Sequence, residues 1–60
     1  MKTYQQAIEA VVVDALQMYY AGDYNYSSTL SAQAHTISLI FEKPYVDVLN
    51  DVMRKFNNGR

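Results

Sequence analysis

The chain has 60 residues, no cysteine, one histidine and a net charge of −1 from five Lys/Arg and six Asp/Glu. Half of it is apolar, which is enough for one core and too much for a disordered chain. These figures exclude a disulfide framework, a cysteine-based zinc site and a basic surface for nucleic acid or anionic lipid.

The first predicted element runs over about 4–21. Tyr4, Ile8, Val11, Ala15, Met18 and Tyr19 recur at helical spacing, with Ala7 and Val12 beside them. Gln5, Gln6, Glu9, Asp14 and Gln17 lie opposite. Thr3 and Gln6 have the spacing of a capping box, and Gly22 stands where a left-handed residue ends a helix. The run Val11-Val12-Val13 is β-prone in isolation, but the stripe and both end signals outvote it.

A polar and aromatic loop, 23–28, follows, with Ser27 or Ser28 as the expected N-cap. The second helix, about 28–42, carries Leu30, Ala34, Ile37 and Phe41 on one stripe, with Ile40 at its edge. Ser31, His35, Ser38 and Glu42 share the opposite face. Residues 36–42 also alternate as a strand would, but no second strand exists to pair with them.

Pro44 suits a first helical turn and biases Lys43 away from helical angles. The third helix, about 44–56, buries Tyr45, Val48, Leu49, Val52, Met53 and Phe56. Asp47, Asn50, Asp51 and Arg54 face solvent, Asp51 and Lys55 are spaced to pair, and 57–60 reads as a frayed stop. The stripe from Leu30 to Val52 is also continuous through Pro44. A single kinked arm is therefore a rival: it would overhang the first helix and demand a second chain to cover it.

The expected fold is all-α: one domain over 1–60, a helical hairpin or three-helix arrangement whose second arm is broken or kinked at Pro44. A chain this short buries only about 60% of the surface it exposes unfolded. With no disulfide or metal to reinforce it, a homodimer is expected. The longest strictly apolar stretch, Ala10 to Val13, is far too short to span a membrane, and the N-terminus has no signal-peptide core. The chain reads as a cytoplasmic protein with its own initiator Met.

No catalytic, cofactor or metal site is legible. Glu9 and Asp14 do not face each other, and Asp47 and Asp51 lie on the solvent face. His35 with Ser31 and Ser38 lacks an orienting third group. His35 with Glu42 gives too few ligands for a metal, and two glycines make no phosphate cradle. A helix-turn-helix across Lys43-Pro44 would point Asp47 and Asp51 at phosphates, so DNA binding is disfavoured.

The compositional oddity is six tyrosines, four of them between Tyr19 and Tyr26. They either close the end of a thin core or form a recognition surface. Tyr19, Tyr20, Tyr24, Tyr26 and the off-stripe Leu39 are the candidate protein-interaction residues, with Val13 also off-stripe.

The opening 1–9, MKTYQQAIE, followed by Gly22-Asp23-Tyr24-Asn25-Tyr26, resembles the short early-region accessory proteins of lambdoid phages and prophages. The resemblance covers size, helicity, acidity and lack of cysteine, and carries no diagnostic motif. It implies a protein acting in the host cytoplasm that alters host or phage development by binding other proteins. A small transcriptional or DNA-associated regulator is the alternative.

Overall fold

A computed structural model describes residues 2–60. Three helices, α1 (Tyr4–Tyr20), α2 (Tyr26–Phe41) and α3 (Tyr45–Gly59), pack pairwise into an up-down-up bundle of 32 × 18 × 18 Å. Among the described residues there is no strand, and no helix is long and apolar enough to cross a membrane.

The capping box at the start of α1 forms as its spacing predicts. Gln6 N–H donates to Thr3 Oγ1 at 3.1 Å, and Thr3 N–H donates to Gln6 Oε1 at 2.9 Å. At the other end Gly22 takes φ +80, Gly22 N–H bonds the Tyr19 carbonyl, and Asp23 N–H bonds that of Met18. This pair of bonds is a Schellman closure, which glycine enters without a Cβ penalty.

α2 starts at Tyr26, ahead of the expected Ser27 or Ser28 cap. The Asp23 carboxylate accepts from Asn25 N–H at 2.9 Å and folds the chain into its first turn early. Packing of the Tyr26 ring then holds that turn. α2 ends where Glu42 enters the left-handed region at φ 54, and Lys43 N–H reaches back to the Ser38 carbonyl. Pro44 caps α3 in extended geometry. α2 and α3 are therefore separate helices, and the continuous kinked arm is not formed.

α3 continues to Gly59, past the expected stop at 56. Tertiary contact extends it: the Tyr20 hydroxyl donates to the Gly59 carbonyl at 3.2 Å. Gly59 also lies so close to Leu16 that a Cβ there would stand 2.9 Å from Leu16 Cδ1.

The core is Ile8, Val11, Val12 and Ala15 from α1, Leu30, Ala34 and Ile37 from α2, and Val48, Val52 and Phe56 from α3. Each set lies on the predicted stripe. Two edge positions differ: Ile40 is 67% exposed and Met53 38%. Ser38, expected on the solvent face, is buried instead, and its hydroxyl donates to the His35 carbonyl at 2.7 Å. That bond satisfies the hydroxyl and lets it sit beside the core.

The polar face of α3 is also less free than its pattern suggests. Asp51 is half-buried and accepts the Tyr4 hydroxyl at 2.6 Å. The predicted Asp51–Lys55 pair does not form: Arg54 lies 3.5 Å from Asp51, and Lys55 crosses to Glu9 on α1 at 3.6 Å. α3 packs against α1 along this side, so cross-helix partners come within reach of both charges.

The two left-handed residues make opposite predictions. Gly22→Ala should cost about 1 kcal/mol in urea unfolding, because φ +80 strains any Cβ. Glu42→Gly should stabilise by about 0.5 kcal/mol, since it removes the strain at φ 54 but adds unfolded-state freedom.

Candidate protein-interaction surface

Three of the six tyrosines, Tyr19, Tyr20 and Tyr26, meet at the end of the bundle where α1 stops, α2 starts and α3 stops, and Tyr24 projects from the loop beside them. Phe56 anchors them from the core. The Tyr26 ring stacks on it at 5.4 Å and 16°, and Tyr19 meets it edge-on at 5.7 Å. Tyr19 is also edge-on to Tyr26 and to Tyr20, each at 5.3 Å. The Arg60 guanidinium lies 5.9 Å from both the Tyr19 and Phe56 rings. Offset and edge geometries of this kind satisfy the ring quadrupoles, and the cation adds attraction at the rim.

The five predicted residues fall into three groups. Tyr19 and Tyr26 are half-buried and belong to the aromatic closure of the core. Tyr20 and Tyr24 project outward at 66% and 87% exposure, on either side of the Gly22 turn. Leu39 is 69% exposed, but it sits thirteen positions beyond Tyr26, roughly 20 Å along α2 and toward the opposite end. The structure does not join it to the tyrosines. Val13, the other off-stripe residue, is 51% exposed on α1.

Ile40 and Val46 were not among the predicted surface residues, yet they are 67% and 63% exposed. Val46 lies off the stripe of its helix, so spacing alone could have found it. Ile40 could not be separated from its stripe without knowing which side α1 takes.

The other two tyrosines lie at the opposite end. Tyr4 packs edge-on against Phe41 at 5.6 Å, with the Lys43 ammonium 4.7 Å from its ring centre. Burial, then the hydrogen bond to Asp51, then the charges of Asp51 and Asp47 push the Tyr4 hydroxyl up to about 12. Tyr45 meets the exposed His35 ring at 5.7 Å. The Ser38 hydroxyl is directed to the backbone and away from that imidazole. Among the described residues no three His, Asp or Glu side chains converge on a point that could hold a metal.

Compared with known protein families, characterised proteins and solved structures, the chain matches none.

Two predictions separate closure from surface. Phe56→Ala should cost about 3 kcal/mol or more, enough to unfold a chain this small, whereas Tyr24→Ala should stay within about 0.5 kcal/mol of wild type in thermal unfolding. Tyr4→Phe should cost about 1 kcal/mol at neutral pH. The Tyr4 contribution is present below its unfolded pKa near 10 and is lost as pH rises through about 12. The wild-type minus Tyr4→Phe difference in urea midpoint should therefore shrink across that window.

Proposed function

We propose that this chain is a small helical interaction protein that forms a homodimer and acts by binding another protein. The observation that carries this reading is its exposed apolar surface. Among the described residues seven large apolar or aromatic side chains are more than a third exposed, on a chain of 60 residues. Single exposed apolar residues are ordinary, but several on one small bundle favour contact with a partner. Tyr20 and Tyr24 offer rigid rings with polar tips, the chemistry enriched at binding hot spots. Among the described residues the core has ten buried apolar residues and no side-chain cluster that could hold a metal, and the chain has no cysteine for a disulfide, which favours a second copy as the stabilising element.

Under the phage-protein resemblance, the partner belongs to the host cytoplasm or to the phage's own developmental machinery. Near-neutral charge and acidic residues at the start of α3 count against direct DNA binding.

The dimer is tested by light scattering after size exclusion at tens of micromolar, where a strict monomer would remove it. For the second partner, the double variant Tyr20→Ser, Tyr24→Ser should lose capture from host extract by at least tenfold while remaining helical by circular dichroism, with only the last turn of α3 loosened by loss of the Tyr20–Gly59 bond. Tyr19 and Tyr26 are left intact because they close the core. Undiminished capture by the double variant would overturn the tyrosine assignment.

A further inference from the structure

The α1–α2 side of the bundle carries a shallow groove floored by Ala7, Ala10, Val11, Ile37 and Ile40. Lys2, just ahead of α1, and Asp14, about 15 Å along α1 from its first residue Tyr4, line it toward its two ends. Among the described residues neither makes an ion pair within the chain. The α1–α3 side is different, because Glu9, Lys55, Asp51 and Arg54 pair there internally.

The register of the groove is pinned at one point. The Thr29 hydroxyl lies 3.4 Å from Met18 Sδ. Antiparallel stepping from that contact sets Ile40 opposite Ala7. Ile40, two-thirds exposed, therefore stands midway between the lone cation and the lone carboxylate.

We propose that this groove is the self-association face of a twofold dimer, a placement that rests on the homodimer reading above. A twofold axis through the level of Ile40 turns the groove end for end. Lys2 then meets the second copy's Asp14, and Asp14 meets the second copy's Lys2. Ile40 packs against its own copy at the axis. One self-complementary patch with opposite charges at its ends is what a closed, isologous dimer requires. The small Ala7 and Ala10 side chains allow a facing helix to approach closely.

The test is sedimentation equilibrium on the full chain and four variants, with circular dichroism as the folding control. Wild type should be dimeric at tens of micromolar. Lys2→Glu and Asp14→Lys should each weaken the dimer about tenfold or more, because each breaks both symmetric pairs and sets like charges together. The double reversal, Lys2→Glu with Asp14→Lys, should return to within about threefold of wild type. Ile40→Asp should give a helical monomer, since it sets two carboxylates together at the axis. A dimeric wild type whose affinity none of these variants changes would overturn the groove and leave the homodimer standing. A monomeric wild type would overturn the homodimer reading and the groove with it.

Discussion

The bundle depends on Phe56. It is the largest fully buried side chain, it comes from the last turns of α3, and it touches the end of α1 through Tyr19 and the start of α2 through Tyr26. A core of this size has few layers, so an open end would let water reach Leu30 and Ala15. Three ring contacts among Tyr19, Tyr26 and Phe56 close that end at little cost in side-chain freedom, because aromatic rings have few rotatable bonds. The early start of α2 and the late stop of α3 both follow from it. Tyr26 is drawn into helix to stack on Phe56, and the chain after Phe56 stays helical long enough for Gly59 to meet Leu16 and Tyr20.

The helices were legible because their signals are local and repeat. Thr3 with Gln6, Gly22, and the stripes from Ile8 to Ala15 and from Val48 to Phe56 each appear in the structure where their spacing places them. The break between α2 and α3 was only half legible. The stripe runs through Pro44 without interruption, so hydrophobic periodicity could not choose between one bent arm and two helices. The deciding event is the left-handed turn at Glu42, and glutamate carries no signal for it. Ser38 and Asp51 were illegible for another reason. Ser38 is made acceptable in the core by a bond to its own helix, and Asp51 by a tyrosine 47 residues away. Neither partner can be read from side-chain type.

The candidate surface divides along the same line. Tyr20 and Leu39 are exposed, as their positions off the stripes suggest, and Tyr24 is exposed in its loop. Their grouping was not legible, because sequence proximity placed Tyr19 and Tyr26 with Tyr20 and Tyr24. In three dimensions the first two face inward against Phe56, and the last two face out. Charge gives a comparable lesson. Opposite charges at neighbouring helical positions, Asp51 and Lys55, did not find each other, whereas Glu9 and Lys55 meet across two helices. Local spacing sets who can meet, and packing decides who does.

The hydroxyl of Tyr20 on the carbonyl of Gly59 bears on the order of events in folding. Both loops of the bundle are short, so α1 with α2 and α2 with α3 can associate as neighbouring hairpins with small closure entropy. The Tyr20–Gly59 and Tyr4–Asp51 bonds span 39 and 47 residues and join the outer helices. Loop-closure entropy favours forming contacts so far apart after the hairpins. Weakening them should leave the folding arm of a chevron nearly unchanged and raise the unfolding arm. The end of α3 thus acts as a latch on lifetime: it governs how long the bundle persists once formed, and has little to do with how quickly it forms.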